Sequence, residues 1–423
     1  MSFLHNIFTM SSDITIVMVG MFVIAMVGYL LGRIEIKGVF LGTAGVFLIA
    51  LLFGWLFSLD GLQGIPFLDH FYIESASDKV VSHYKMVETF GLIFFVTSVG
   101  FMAGPNFFHD FKKNAKSYIF LGAVIVLIGS ALAWIFALIP GIGSAYSTGI
   151  LSGALTSTPA FAAAKAGVDA ASEGLVALGH AVAYPFGVVG VVLFVQLVPK
   201  FLKADKAEEK RKMLESFQGN TFKADPSKGR IIIDDLGLAP MGLAIVLGIL
   251  LGSVCIPLSS QGYAGTTFSL GNTGGPLIMA LILGHFGHIG RINLSVPQAT
   301  LSAFRELGLM LFLVGAGIEG GVELVEQVSA SELGVMLIVY GFVAGALMTI
   351  IPSVVGMLIA KYLLKMPMFN YLGSITGGMT STPALGALIK VADSDDVASA
   401  YASTYPIALI LVVITSQLIV LLI

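Results

Sequence analysis

The chain has 423 residues, of which 57% are hydrophobic and only 11% are charged. A soluble domain carries about 25% charged residues, so this composition excludes a water-soluble globular protein. The net charge of −3 indicates no nucleic-acid partner, and a single cysteine, Cys255, excludes an intrachain disulfide.

Apolar stretches of about 18 or more residues recur along the chain, and each is long enough to cross a lipid bilayer as a helix. They are continuous rather than alternating, which argues against a membrane β-barrel. No Lys or Arg precedes the first stretch, so we interpret it as a retained span rather than a signal peptide. Examples in chain order are Ile14–Leu31, Val39–Phe57, Tyr118–Leu138, Leu236–Ile256 and Val397–Ile423.

One charged segment, Lys200–Asp235, interrupts this pattern. The part from Lys200 to Arg230 holds nine of the 22 Lys and Arg residues of the chain. We interpret residues 200–235 as a linker, helical over Ala204–Phe217, between membrane repeat 1 (residues 1–199) and membrane repeat 2 (residues 236–423). Because loops rich in Lys and Arg stay on the cytoplasmic side, the linker is predicted to be cytoplasmic.

Four segments of the first repeat match four segments of the second in the same order, which predicts an internal duplication of the kind found in transporters. The pairs are LGTAGVFLIALLFG (Leu41–Gly54) with GNTGGPLIMALILG (Gly271–Gly284), FGLIFFVTSVGFMAG (Phe90–Gly104) with LGLMLFLVGAGIEGG (Leu307–Gly321), GALTSTPAFAAA (Gly153–Ala164) with GGMTSTPALGAL (Gly377–Leu388), and AVAYPFG (Ala181–Gly187) with ASTYPIA (Ala402–Ala408).

Loop charges predict how the repeats cross the membrane. The N-terminal segment lacks Lys and Arg and is placed outside, and the linker is placed inside. Both placements hold only if the first TSTP segment dips into the membrane and returns, rather than crossing it. The loop charges of repeat 2 give the same result in the opposite orientation, with the second TSTP segment dipping from inside. The predicted fold is therefore an all-α polytopic membrane protein of two inverted repeats of about five transmembrane helices. Each repeat carries one re-entrant or broken helix, and both termini lie outside.

The two TSTP runs are predicted to be helix N-termini inside the membrane. Thr and Ser ahead of a Pro are favourable helix N-caps, and Pro suits the first helical turn. Free N–H groups and the positive end of the helix dipole at such a point favour an anion. The alternative is a polar kink satisfied by neighbouring helices. The predicted substrate-binding residues are Thr156, Ser157, Thr158, Pro159, Thr380, Ser381, Thr382 and Pro383.

Four further residues are candidates for the same site. Tyr184 and Tyr405 each precede a Pro at matching places and either line the cavity or pack beside a kink. Arg305 either neutralises a substrate carboxylate or lies at the membrane edge. Asn272 either contacts a ligand or caps a helix. No metal site and no cofactor are predicted, although the TSTP hydroxyls can also accept Na⁺.

The paired TSTPA runs, the GLIFFVTSVGFMAGPNFF span and the ordered duplication resemble the aspartate:alanine exchanger family. The resemblance covers both membrane repeats. It implies a secondary transporter of the bacterial inner membrane that exchanges an acidic amino acid or dicarboxylate for another substrate. Members of the family commonly carry two cytoplasmic regulatory domains between the repeats, and this chain has only the linker from Lys200 to Asp235 in that place.

The leading hypothesis is therefore an alternating-access exchanger of small carboxylates, with aspartate, glutamate and succinate as candidates. The expected partners are the lipid bilayer and a second copy of the chain in a homodimer, with no nucleic acid. The second hypothesis is a Na⁺-coupled carboxylate symporter. A channel or a membrane enzyme has less support, because the sequence contains no G-x-S-x-G, H-E-x-x-H or P-loop motif.

Overall fold

The structure, a computed structural model, describes residues 13–36, 39–40, 43–59, 71–75, 79–169, 172–217, 231–257, 267–330 and 334–422. The described part is almost entirely helical, as the long apolar stretches predict, because a backbone in lipid must satisfy its hydrogen bonds within its own segment. In chain order the helices are α1 Asp13–Gly32, α2 Ala44–Phe57, α3 Lys79–Ala137, α4 Gly143–Ala154, α5 Thr158–Gly167, α6 Glu173–Pro185, α7 Val191–Phe201, α8 Lys206–Phe217, α9 Leu238–Gly252, α10 Gly271–Phe286, α11 Gln298–Ala330, α12 Gly334–Leu358, α13 Met368–Gly378, α14 Thr382–Ala392 and α15 Val397–Leu422.

Short β-hairpins join some of the helices. In both repeats a two-stranded antiparallel hairpin lies between the first and the second helix: β1 Glu35–Ile36 pairs with β2 Val39–Phe40, and β3 Ile256–Pro257 pairs with β4 Thr267–Phe268. A third hairpin, β5 His288–Ile289 with β6 Ile292–Asn293, precedes α11.

Seven helical stretches of the described residues are long and apolar enough to cross a membrane. Two of them, Lys79–Met102 (here α3a) and Lys116–Ala137 (here α3b), belong to α3, which contains Pro105. A straight helix of this length would extend about 90 Å, roughly three times the hydrocarbon thickness of a bilayer. We therefore treat α3a and α3b as separate spans. The chain is a multi-pass membrane protein.

The two repeats are inverted with respect to each other. In the antiparallel crossing of α3a and α11, the equivalent glycines Gly91 and Gly308 face one another. A Cβ atom built on either would lie 2.6 Å from the carbonyl oxygen of the other. Further along, Gly315 lies against Glu88, so the two helices run in opposite directions. Reciprocal contact between equivalent residues is the signature of a twofold axis, here between antiparallel spans.

Close packing within each repeat depends on glycine. A Cβ on Gly153 of α4 would lie 2.4 Å from the carbonyl oxygen of His180 in α6. The equivalent Gly377 of α13 lies in the same way against α15, at 2.6 Å from the carbonyl oxygen of Tyr401. Each broken segment is thereby held directly against the backbone of the last span of its repeat.

The linker contains one helix in its described part, α8, as predicted, while residues 218–230 lie outside the described residues. α8 packs on repeat 2, where Met213 is fully buried and the Glu209 carboxylate accepts a hydrogen bond from the N–H of Met368 at the start of α13. We call the side of the molecule that carries α8 the linker face and the opposite side the far face.

Repeat 2 begins beside the linker with a capped helix. The N–H groups of Ala239 and Leu238 donate to the carboxylate of Asp234 at 2.9 and 2.8 Å. These bonds favour the ionised form and lower the pKa of Asp234. The carboxylate also compensates the positive end of the α9 dipole at the linker face.

Candidate functional site

The polar centre of the molecule consists of two breaks in helical structure, one in each repeat. α4 ends at Ala154 and α5 begins at Thr158, while α13 ends at Gly378 and α14 begins at Thr382. In the first break, the N–H of Ser157 donates to Ser152 O at 2.8 Å and the N–H of Thr156 donates to Gly153 O at 2.9 Å. These two bonds close the end of a helix in the Schellman pattern.

The second break repeats this geometry. The N–H of Ser381 donates to Thr376 O at 2.9 Å, and the N–H of Thr380 donates to Gly377 O at 3.1 Å. Thr156 and Thr380 have φ angles of +49° and +47°. That left-handed conformation costs a β-branched residue about 1–2 kcal/mol, and such strain concentrates at functional sites.

The two breaks touch each other. Thr156 Oγ1 donates a hydrogen bond to Thr380 O at 3.1 Å, and Thr380 Oγ1 donates to Leu155 O. Thr156 and Thr380 are equivalent in the two repeats, although Thr380 donates to the residue before Thr156 rather than to Thr156 itself. The structure thus brings together the two TSTP runs, which are 224 positions apart in the sequence.

Both runs start a helix, as the sequence predicts. Ser157 and Ser381 are the N-cap residues of α5 and α14, with extended backbone and a Pro in the first turn. Ser157, Thr380, Ser381, Thr382 and Pro383 are buried, and Thr156 is half-buried. The side chains of Thr158 and Pro159 lie outside the described part of the structure.

A cavity of about 330 Å³ leads from the far face toward the first break. Tyr184 lines it beside His180 of the same helix and Phe161 of α5. The remaining polar lining comes from α3a and α11, and it includes an ion pair between Lys85 and Glu319 at 2.6 Å. Polar side chains of both signs therefore surround the path to α5.

The ring pair at the cavity has an equivalent in repeat 2. His180 packs against Tyr184 with ring centroids 5.2 Å apart, and Tyr401 stacks on Tyr405 at 5.1 Å. His180 Nδ1 lies 2.8 Å from Ser152 Oγ, which ties the ring to the last turn of α4. The predicted residue Tyr405 is buried beside the second break, whereas Tyr184 reaches the cavity.

Arg305 and Asn272 lie elsewhere. The guanidinium of Arg305 pairs with Asp395 and lies 3.4 Å from Glu306, at the linker-face end of α11. Lys390 at the end of α14 pairs with Glu306 at 3.1 Å and extends this network. Asn272 is exposed in the first turn of α10, and no hydrogen bond joins it to either break among the described residues.

Several residues of the site had no motif in the sequence. Lys85 and Glu88 line the cavity from α3a, and Tyr401 is buried beside the second break. The match between Phe90–Gly104 and Leu307–Gly321 contains a signal for Glu88. Extended by two residues toward the N-terminus, it aligns Glu88 and Thr89 with Arg305 and Glu306. Polar residues at equivalent positions of two inverted helices are expected at equivalent depths on opposite faces.

Sequence comparisons agree with this architecture. A profile of the predicted permease membrane region, Asp-Al_Ex, matches residues 20–200 and again residues 240–421, one match in each repeat. The chain is 26% identical to the uncharacterized transporter BF2680 of Bacteroides fragilis over an alignment 555 residues long, which covers 94% of this chain and 97% of the relative.

Two further relatives have similar names. The chain is 28% identical to the uncharacterized transporter RB4869 of Rhodopirellula baltica over 549 residues, with 92% and 96% coverage. It is 24% identical to a putative transport protein of Dichelobacter nodosus over 567 residues, with 96% and 98% coverage. All three alignments are longer than the 423 residues of this chain, so the relatives contain segments without a counterpart here. With the family profile matching both inverted repeats, the chain belongs to the Asp-Al_Ex family of predicted permeases.

Proposed function

We propose that this transporter exchanges small carboxylates or acidic amino acids by alternating access, with the substrate bound where the two TSTP breaks meet. The observation that carries the proposal is that Thr156 and Thr380 each donate a hydrogen bond to a carbonyl group of the opposite helix break, across the inverted repeats. Discontinuous helices that meet at the repeat interface form the substrate site in many secondary transporters.

The chemistry of the breaks supports an anionic substrate. α5 and α14 both begin at this point, so two helix N-termini with positive dipole ends converge on it. Aspartate, glutamate and succinate are small enough for a cavity of about 330 Å³ and carry the carboxylate that such N-termini bind. Na⁺-coupled symport remains a competing form of coupling, which the same assay separates.

The described conformation supports alternating access. The cavity opens on the far face, while on the linker face the pairs Arg305–Asp395 and Lys390–Glu306 join α11 to the end of α14. A molecule open on one side and held shut by ion pairs on the other is one of the two end states that alternating access requires.

The orientation and the assembly belong to this proposal. We propose that the linker face lies on the cytoplasmic side of a bacterial inner membrane, with both termini outside, and the positive charges of the linker support this orientation. A homodimer formed by the less mobile spans is the proposed assembly. Labelling of single cysteines in intact cells, in a Cys255→Ser background, tests the orientation.

Counterflow in liposomes tests the function. Purified protein is reconstituted with unlabelled aspartate, glutamate or succinate inside, and radiolabelled aspartate or succinate is added outside. Saturable accumulation that needs an internal carboxylate is the expected result. If no carboxylate gives saturable counterflow, the proposal is wrong. If accumulation requires external Na⁺ instead of an internal substrate, the protein is a symporter.

A further inference from the structure

The two breaks differ in how their N-cap serines are used. In the first break Ser157 Oγ accepts a hydrogen bond from the N–H of Ala160 at 3.3 Å, which caps α5. In the second break Ser381 makes no cap bond, and its hydroxyl is buried without a hydrogen-bond partner among the described residues. Ala384, the equivalent of Ala160, therefore donates no cap bond to the N-cap serine of its own break.

A second buried hydroxyl lies at the same place. Tyr401 is 1% exposed, and its hydroxyl lies beside Thr382 with no hydrogen-bond partner among the described residues. Ser381 itself is completely buried. Leaving a buried polar group unpaired costs about 1–3 kcal/mol, so two unpaired hydroxyls at one point indicate a place for a ligand.

The helix N-terminus favours an anion over a cation at this point. Backbone N–H groups only donate hydrogen bonds, the hydroxyls can donate as well as accept, and the start of an 11-residue helix adds a positive dipole end. A cation needs free oxygen acceptors. The two carbonyl groups at the crossing, Thr380 O and Leu155 O, already accept the hydroxyls of Thr156 and Thr380.

We propose that the substrate carboxylate binds at the start of α14, to the hydroxyls of Ser381 and Tyr401 and to the uncapped first turn of the helix, and not at the start of α5. This assignment rests on the proposed carboxylate transport and makes the two breaks functionally unequal. The first break borders the access cavity, and the second break holds the charged group. Tyr401 becomes a substrate-binding residue.

Ligand-induced thermal stabilisation of the purified full-length protein tests this assignment. The probes are potassium aspartate and potassium succinate, with KCl and NaCl at equal concentration for comparison. The variants are Ser381→Ala and Tyr401→Phe. Ser403→Ala is the matched control, because Ser403 is a buried hydroxyl on the same helix α15 that already donates to Ser399 O at 2.8 Å.

Aspartate or succinate should stabilise the wild-type protein, and each of the two variants should weaken the apparent affinity about tenfold or more, since each loses a hydrogen bond to a charged group. Ser403→Ala should keep the wild-type affinity. Ser157→Ala should lower the melting temperature without ligand, through loss of the cap, but change the affinity less than Ser381→Ala.

Three outcomes would overturn the assignment: no stabilisation by any carboxylate, stabilisation by NaCl that Ser381→Ala abolishes, or equal loss of affinity in Ser157→Ala and Ser381→Ala. Counterflow separates this failure from failure of the proposed function. Binding through Ser381 without counterflow refutes transport alone, whereas counterflow that Ser381→Ala leaves unchanged refutes the assignment alone.

Discussion

Thr156 and Thr380 combine an unfavourable backbone conformation with a bond that only their side chains can make. Glycine would adopt φ angles of +49° and +47° without strain, but it has no hydroxyl to donate to the opposite break. Both threonines are half-buried or buried, so their bonds are shielded from water. At the scale of single residues, the strain is retained because it positions the contact between the repeats.

Replacing either threonine by valine tests whether the hydroxyl bonds stabilise the contact between the repeats. Thr156→Val and Thr380→Val keep the β-branch and remove the hydroxyl, so each leaves a carbonyl group unpaired and should cost about 1–3 kcal/mol of stability. Because the two bonds form one contact, the double variant should lose less than the sum of the single losses. Thermal unfolding of the four proteins gives the result.

Thr148→Val is the control for that experiment. Thr148 Oγ1 bonds to Ser144 O and Ala145 O of its own helix at 2.8 and 3.0 Å, away from the crossing. Thr148→Val should cost less stability than either Thr156→Val or Thr380→Val. Additive losses at Thr156 and Thr380 would show that the two hydroxyls act independently.

Gly377 provides a second residue-scale prediction. A Cβ atom there would lie 2.6 Å from Tyr401 O, on backbone that cannot move aside. Gly377→Ala should therefore push α13 away from α15 and destabilise the protein by about 1–3 kcal/mol. Gly242→Ala is the control, since a Cβ there has no atom within 4 Å. An unchanged melting temperature for Gly377→Ala would contradict the close packing.

At the scale of elements, α8 holds both ends of the broken segment of repeat 2. Glu209 accepts from the N–H of Met368 at 3.0 Å, at the start of α13. Lys210 Nζ donates to the carbonyl oxygen of Asp393 and lies 3.0 Å from its carboxylate, at the end of α14. A carboxylate at a helix N-terminus and an ammonium at a helix C-terminus both match the helix dipole.

This arrangement predicts that α8 restrains the movement of α13 and α14. Glu209→Gln and Lys210→Met should raise the hydrogen exchange of α13 and α14 about two- to five-fold, which corresponds to dipole interactions of about 0.3–1 kcal/mol. Arg211→Met is the control, because Arg211 pairs with Glu215 on the exposed side of α8. Equal hydrogen exchange in all three variants would show that α8 packs on repeat 2 without restraining α13 and α14.

The sequence predicts where the helices begin and break better than it predicts which helices contact each other. Proline after Thr and Ser sets the start of α5 and α14 locally, so the pattern alone predicts both breaks. Lys85 and Glu88 of α3a meet Tyr184 of α6 at the cavity, and a pattern within one helix does not predict a contact between helices so far apart in the chain. Asn272 stays a prediction. It is exposed in the first turn of α10, and no hydrogen bond among the described residues joins it to either break.

At the scale of the whole molecule, equivalent positions of the two repeats are in different states. Glu88 and Thr89 line the open cavity on the far face, whereas their counterparts Arg305 and Glu306 are paired on the linker face. Two inverted repeats in different states are what a transporter shows when it faces one side. Exchange of these states between the repeats would open the linker face and close the far face.

Removing an ion pair on the linker face should shift the equilibrium toward the state that is open on that face. Asp395→Asn removes the carboxylate that pairs with Arg305 and accepts from Gln298 at 2.7 Å. Loss of one partner of a largely buried pair should favour the linker-face-open state about tenfold, or ~1.4 kcal/mol. The readout is the labelling rate of an Ala387→Cys reporter in a Cys255→Ser background.

Ala387 suits that experiment because it is 5% exposed in α14. Glu215→Gln, a change on the exposed surface of α8, should leave the labelling rate unchanged. If Asp395→Asn labels no faster than this control, the ion pairs do not hold the linker face closed.

The most direct test of the central claim compares exchange by two proteins that fold alike. The wild-type protein and the Thr156→Val/Thr380→Val variant are reconstituted in equal amounts with internal unlabelled aspartate, and counterflow of radiolabelled aspartate is measured. If the substrate site lies where the two breaks meet, the wild type exchanges aspartate saturably and the variant, still folded by circular dichroism, loses most of this exchange. Undiminished exchange by the folded variant would contradict a site at the crossing of the two breaks.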